Sequence, residues 1–330
     1  MSTPQPRALV TGATGSIGPA LVNHLLASGW QVRTYGLDTP ADGLYAGPVD
    51  LVQGDINDSK QLAAAMAGIE VVFHLAALLH IENPAPELAA QYRRVNVDGS
   101  RVVAEQSARA GVRRLVYFST VKVYGIRQRA PVSENIHPYP KTFYAQTKLA
   151  GEDAVRAAER IESVVLRLSA VYGPCLKGSW NRLVHAIERG RFLPVGNLRN
   201  AHSLTYVDDV ARAALLAAEH PRAAGEIFNV VGHADVTLYD ILDAIYTATG
   251  RRLPPVRVPK TAALIGTSLL EKSLALVNKR SPITPDMVRQ FTEDEVYDGG
   301  KLRQIGFAEL WSLNEGWNRA VHSQRGKPCC

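Results

Sequence analysis

Thr11-Gly12-Ala13-Thr14-Gly15-Ser16-Ile17-Gly18 follows an apolar run at 7–11 and opens a segment, 19–28, in which Leu21, Val22, Leu25 and Leu26 recur at helical spacing. The local reading is strand, glycine turn, helix. Glycines three residues apart let the backbone approach a pyrophosphate, whose charge would meet the N–H groups and positive dipole end of the helix. A P-loop would need Gly-Lys-Ser/Thr, which the turn lacks. Gly12, Thr14, Gly15, Ser16, Ile17 and Gly18 are therefore candidates for holding a dinucleotide.

The same alternation continues outward. Strand patterns at 31–35, 49–53, 71–75, 114–119 and 163–168 are separated by helical patterns at 59–67, 91–110 and 143–160. Such alternation predicts an α/β protein with a Rossmann-type doubly wound parallel sheet, right-handed crossovers and ligands at the carboxyl ends of the strands. After Gly173 it loosens, with helices expected at 181–188, 208–218, 238–249 and 284–290 and a strand at 227–231. The expected organisation is a dinucleotide-binding unit over 1–172 and a smaller, interleaved C-terminal substrate lobe over 173–330, with 203–231 returning to the first sheet.

Composition narrows the function classes. The 330 residues are 46% hydrophobic, enough for a large core. The net charge of +6, from 37 basic and 31 acidic residues, is spread along the chain rather than gathered in a stripe, which argues against a nucleic-acid partner. Cys175, Cys329 and Cys330 are the three cysteines; they form neither a disulfide framework nor a spaced metal site, so no metal is expected. The start has no charged-then-apolar leader, and a cytoplasmic protein is expected. Residues 262–277 are the most apolar run, but Glu271 and Lys272 interrupt it, so no transmembrane segment is expected. The run reads as an amphipathic helix covering the core, with contact to an anionic membrane surface through Lys260, Lys272, Lys279 and Arg280 as the lesser reading.

Near the end of the second strand, Asp38 suits a ribose diol and favours NAD, whereas Arg33 suits a 2′-phosphate and would favour NADP. The charge pattern leans to NAD. Asp55 and Ile56, directly after the third strand, suit an adenine amino group and ring.

Tyr144 and Lys148 stand four apart in a helical segment and so face the same way. An ammonium there, together with an oxidised nicotinamide, would lower the tyrosine pKa from about 10 toward working pH and make it a usable base. Ser119 and Thr120 lie just past the end of a central strand, where a hydroxyl could bind the reacting oxygen.

Together these stretches resemble the extended short-chain dehydrogenase/reductase superfamily, which includes nucleotide-sugar epimerases and dehydratases and the 3β-hydroxysteroid dehydrogenases. The matching segments are Gly12 to Gly18, Gly54-Asp55-Ile56-Asn57-Asp58, Phe73-His74-Leu75-Ala76-Ala77, Val95-Asn96-Val97-Asp98-Gly99, Ser119 to Gly125, Tyr144 to Lys148, Arg167 to Pro174 and Thr205-Tyr206-Val207-Asp208-Asp209-Val210. The resemblance covers nearly the whole chain. It implies Thr120, rather than Ser119, as the catalytic hydroxyl beside Tyr144 and Lys148, and Lys148 also as a ligand of the nicotinamide ribose. It further implies cofactor contacts at Leu75, Ala76, Ala77, Asn96 and Val171, a structural role for His74, and a homodimer through the helices at 91–110 and 143–160.

The implied activity is interconversion of a secondary alcohol and a ketone by hydride transfer on a small-molecule substrate. Two departures weaken a nucleotide-sugar substrate: Ala170 stands where the epimerases carry an asparagine, and His202 where they carry an arginine. Residues 280–285 and 296–298 are similar to the steroid branch, and the apolar run at 262–277 suits a lipid-like molecule. Segments 177–183 and 196–200 are similar to 4-keto-hexose reductases, with Lys177, Arg182 or Arg199 available for a diphosphate. Leu78, His80, Val121, Lys122, Ala170, Lys177, Arg182 and His202 are the candidate substrate contacts. The first expectation is a rather apolar, steroid-like hydroxy or keto substrate; the alternatives are a nucleotide-sugar 4-epimerase or 4-ketoreductase, and a cofactor-sensing binding protein without chemistry.

Overall fold

The computed structural model describes residues 5–79, 88–125, 128–174, 178–275, 281 and 283–326. β1 (Arg7–Thr11), buried at every position after its first, passes through the glycine turn into α1 (Gly18–Ala27), with proline in its first turn. β2 (Gln31–Gly36), β3 (Asp50–Gln53), α2 (Ser59–Ala65) and β4 (Val71–His74) follow. Asp58 starts α2 by accepting from the N–H groups of Lys60 and Gln61.

Residues 91–110, expected as one helix, divide into α3 (Leu88–Arg93), a π-turn (Arg94–Gly99) and α4 (Ser100–Arg109). A π-turn carries an extra residue, which a 3.6-residue apolar period does not register. β5 (Arg114–Thr120) is buried throughout, and α5 (Phe143–Arg156), capped by the Thr142 hydroxyl, stops four residues short of the expected end. Then come β6 (Glu162–Leu168), β7 (Ala170–Tyr172), α6 (Ser179–Glu188), β8 (Ala201–Tyr206), α7 (Val207–Glu219), β9 (Ile227–Val230) and β10 (His233–Thr237). The chain closes with α8 (Leu238–Thr249), α9 (Lys260–Ala275), α10 (Pro285–Thr292), α11 (Gly300–Arg303) and α12 (Leu313–Gly326).

Seven strands form one parallel sheet in the order β3-β2-β1-β4-β5-β6-β9. From β1 the chain builds toward β3 on one side and from β4 onward on the other, so the loops after β1 and β4 diverge and leave a crevice at the switch point. One sheet face packs Leu21, Val22 and Leu25 of α1 and Val210, Ala214 and Ala217 of α7. The other packs Leu62 of α2, Val103 of α4 and Val155 of α5.

A smaller lobe gathers α6, α8 and α12 around a three-stranded sheet, β10-β8-β7. Its centre is aromatic: Trp317 stacks on Tyr172 at 4.5 Å between ring centroids, and Trp180 stands edge-on to Phe291 at 5.1 Å. Of residues 203–231, β9 lies in the seven-stranded sheet and α7 packs on its face, whereas β8 runs in the smaller sheet. All six β8 residues are buried, so its pattern is that of any buried strand, and only its pairing with β7 and β10 decides its place.

The apolar stretch expected to cover the core does not. α9 has no buried residue, and Ile265 and Leu269 are 62% and 61% exposed. Among the described residues no helix is long and apolar enough to cross a membrane.

α5 lies so close to β5 that Gly151 has no room for a side chain: a Cβ there would stand 2.3 Å from the Tyr117 hydroxyl and 2.4 Å from the Asn96 carbonyl oxygen. Gly151→Ala should therefore destabilise by about 1–3 kcal/mol through overpacking. Urea unfolding measures this, and a wild-type midpoint would show that α5 can move away from β5 without cost.

Candidate active site

A cleft of about 430 Å³ opens at the switch point. Its floor begins with Gly12, at φ +69°, where a Cβ would stand 2.7 Å from the Ala76 nitrogen. Only a residue without a side chain allows the loops after β1 and β4 to meet. Thr11 laces them, its hydroxyl accepting from Ala76 N–H at 3.3 Å and its carbonyl from Leu75 N–H at 3.1 Å. No side chain caps the first turn of α1, which leaves its N-terminal dipole directed at the cleft. Thr14, Gly15, Ser16, Ile17 and Gly18 line the opening, as do Leu75, Ala76, Ala77 and Leu78. This cradle fits a pyrophosphate.

Asp38 also lines the cleft. Arg33 lies outside the described lining, because its guanidinium pairs with Asp50 at 2.5 Å and donates to the Ala65 carbonyl at 2.7 Å. Asp55 and Ile56 line it too. The Asp55 carboxylate accepts from the Asn57 backbone N–H and side chain and pairs with Arg94, and the Asn57 backbone bond foremost holds its pKa below the ordinary value.

His74 is structural, as the resemblance implies. It is fully buried, with Nδ1 2.7 Å from the Thr11 hydroxyl and Nε2 3.0 Å from that of Ser100. Ser100 donates to the Asn96 carbonyl, so it accepts from His74, and the ring carries its proton on Nε2. Burial pushes its pKa down to about 3 and keeps it neutral. Asn96, implied as a cofactor contact, is instead fully buried outside the described lining. Its side chain accepts from Leu78 N–H at 2.7 Å and donates to the Leu78 carbonyl and the Thr147 hydroxyl. The π-turn aims it at this backbone, so it shapes the cleft wall.

Tyr144 and Lys148 both line the cleft from α5. Lys148 is 2% exposed, with Nζ 4.1 Å from the centroid of the Tyr117 ring. Burial pushes its pKa down to about 7 against the opposing charge of Glu152, and burial pushes Tyr144 up to about 12. The sequence predicts a depressed tyrosine from the ammonium together with an oxidised nicotinamide. In the protein alone the tyrosine's own burial, with Tyr92 beside it, reverses that direction.

Thr120 ends β5 at 8% exposure, and its hydroxyl accepts from Lys122 N–H at 3.3 Å, its only hydrogen bond among the described residues. Ser119 faces the cleft, but its hydroxyl donates to Glu152, whose carboxylate is also clamped by Arg167 at 2.7 Å. This Ser119–Glu152–Arg167 network went unread in the sequence. Glu152 lies four residues beyond Lys148, a spacing that on an amphipathic helix usually marks a solvated charge. Phe118, Val95, Leu79 and Leu168 are further lining residues that were not among the candidate site residues, although Val95 and Leu168 fall within matching segments.

Other expected substrate contacts lie elsewhere. His80 and Lys177 fall outside the described residues. Val121 belongs to a separate buried cluster with Tyr124 and Tyr297. Lys122 is half-buried outside the described lining, and Arg182 is exposed on α6. Ala170 and Val171 pack against the aromatic core of the smaller lobe, so the strand after β6 turns them away and Leu168 faces the cleft instead. His202 is 3% exposed in β8, where Nε2 accepts from Asn200 at 2.8 Å and its ring lies beside Trp180. Burial lowers its pKa to about 4. It is a packing residue.

Residues 8–231 match the model of the NAD-dependent epimerase/dehydratase family. The chain is 25% identical to the N-acetyl-α-D-glucosaminyl-diphospho-ditrans,octacis-undecaprenol 4-epimerase of Escherichia coli O157:H7, over 95% of this chain and 93% of that protein. It is 28% identical to the 3β-hydroxysteroid dehydrogenase/Δ5→4-isomerase of Mycobacterium tuberculosis, over 78% of this chain and 73% of that one. Among solved structures, MoeE5 in complex with UDP-glucuronic acid and NAD superposes with a TM-score of 0.75 at 26% identity, covering 97% of this chain and 99% of that one.

The two buried histidines make stability pH-dependent. Both fold with pKa values below 6.5, so the unfolded chain binds more protons as pH falls. Stability should be fully present above pH 6.5 and decline toward pH 4, with each proton contributing a slope of up to about 1.4 kcal/mol per pH unit. Denaturant titrations across that window test it; His202→Phe should flatten the slope, and a pH-independent midpoint in wild type would contradict the neutral buried state.

Proposed function

The chain belongs to the NAD-dependent epimerase/dehydratase family, and from that premise we propose that it interconverts a secondary alcohol and a ketone on a rather apolar, steroid-like substrate, using NAD. The observation that carries the reading is the convergence of Tyr144 and Lys148 with the glycine cradle in one cleft. Asp38 in the lining, with Arg33 committed to Asp50, supports NAD over NADP.

Gly12 to Gly18 would hold the pyrophosphate, Asp38 the ribose diol, Asp55 and Ile56 the adenine, and Lys148 the nicotinamide ribose. When bound, the dinucleotide supplies the hydride acceptor or donor and, in its oxidised form, a positive charge in the cleft. For ketone reduction, Tyr144 gives its proton to the carbonyl oxygen as the carbon gains the hydride; its raised pKa keeps that proton in place until then. For alcohol oxidation the proton returns from the hydroxyl to Tyr144. Thr120 holds the reacting oxygen through its hydroxyl, while Ser119 is engaged by Glu152.

The apolar lining from Leu78, Leu79, Val95, Phe118 and Leu168 supports a substrate with little charge. His202, Arg182 and Arg199, the described side chains weighed for a diphosphate, all lie outside that lining. A second reading, a nucleotide-sugar 4-epimerase, draws on the likeness to MoeE5 and to the undecaprenol-linked epimerase.

Tyr144→Phe should lower kcat by about 10²–10⁴-fold while leaving NAD affinity, measured by calorimetry, within a few-fold of wild type. Near-wild-type turnover would remove the assignment. Thermal-shift screening with NAD present should show the larger stabilisation with hydroxysteroids or ketosteroids; stabilisation by UDP-sugars alone would favour the epimerase.

A further inference from the structure

Tyr144, Lys148 and Glu152 sit four residues apart on α5 and share one face of the helix. The first two line the cleft, and Glu152, one turn further along, is 1% exposed. Its carboxylate is held on both oxygens. Arg167 of β6 donates Nη2 to Oε2 at 2.7 Å and Nε to Oε1 at 3.1 Å, and the Ser119 hydroxyl of β5 donates to Oε1. A buried ion pair is a poor source of net stability, because packed apolar side chains of similar volume do as well. The charge at this depth has a nearer beneficiary in the buried cation one turn away.

The groups around Lys148 can be named by element. β5 contributes the Tyr117 ring under Nζ, and β4 contributes His74, neutral in its own buried setting. α5 itself contributes Tyr144 and Glu152, and β6 contributes Arg167 behind Glu152. Within that set Glu152 is the one carboxylate. Burial drives Lys148 toward its neutral amine, and Glu152 is the charge that opposes the shift.

We propose that Glu152, anchored by Arg167 and Ser119, is a positioning residue that keeps the Lys148 ammonium charged within an apolar cleft. The inference rests on the reading of Tyr144 and Lys148 as the proton-handling pair. The same contacts engage the Ser119 hydroxyl.

The test follows Lys148 directly in the full-length protein, by NMR titration of 13C-labelled lysine side chains, with its resonance assigned by its loss in Lys148→Met. Glu152→Gln should lower the Lys148 titration by about one to three pH units, while Glu152→Asp, which keeps the charge, should hold it near wild type. Because Glu152→Gln leaves Arg167 buried without a counter-charge, Glu152→Gln/Arg167→Met serves as a second variant and should shift in the same direction. An unchanged titration in folded variants overturns the role of Glu152. The titration needs neither substrate nor turnover, so it stands apart from the Tyr144→Phe experiment, whose failure would remove the reading of the pair itself.

Discussion

The close approach of Gly12 to Ala76 is the contact on which the site depends. β1 and β4 are neighbours in the sheet, yet the chain leaves them toward opposite edges, and the cleft exists because their loops meet at the base and part above it. A side chain at Gly12 would push the second loop away, and with it the stretch from Leu75 to Leu78 that forms one wall. Thr11, His74, Ser100 and Asn96 then continue this junction inward as an unbroken series of hydrogen bonds from β1 to the π-turn. His74 serves in that series because an uncharged ring can accept on one side and donate on the other without the cost of burying a charge.

α5 brings Tyr144 and Lys148 to that cleft, and its placement has an electrostatic consequence. Packing close enough to exclude a Cβ at Gly151 takes Lys148 out of water and leaves Tyr144 half-buried at the cleft wall. In the protein alone the pair therefore favours a protonated tyrosine and a lysine that titrates near neutrality. The tyrosinate form needs added positive charge, which an oxidised nicotinamide carries.

The smaller lobe is organised on a different basis. Stacked and edge-on contacts among Tyr172, Trp180, Trp317 and Phe291 fill its centre, and the polar residues there, His202 and Asn200, satisfy one another and nearby backbone. Of the described residues that looked available for a phosphate-bearing substrate, His202 is absorbed into this packing and Arg182 and Arg199 are exposed. Beside the glycine cradle, the two aspartates and the Tyr144–Lys148 pair, the cleft is lined by Leu78, Leu79, Val95, Phe118 and Leu168, the side chains on which the proposed substrate rests.

The amino-acid sequence by itself determined the alternation of strands and helices, the glycine turn at the switch point, and the Tyr144–Lys148 pair with hydroxyls at the end of β5. Each is a local pattern, set by a residue period or a short spacing, and local patterns survive folding when neighbouring elements reinforce them. The tertiary structure alone decided the π-turn that turns Asn96 onto Leu78, the membership of β8 in the smaller sheet, the exposure of α9, the withdrawal of His202 and Val171 from the cleft, and the Ser119–Glu152–Arg167 network. Those depend on which buried surface each residue meets. Burial also sets the direction of every large pKa shift in the site, and no spacing along the chain specifies how much water a side chain will lose.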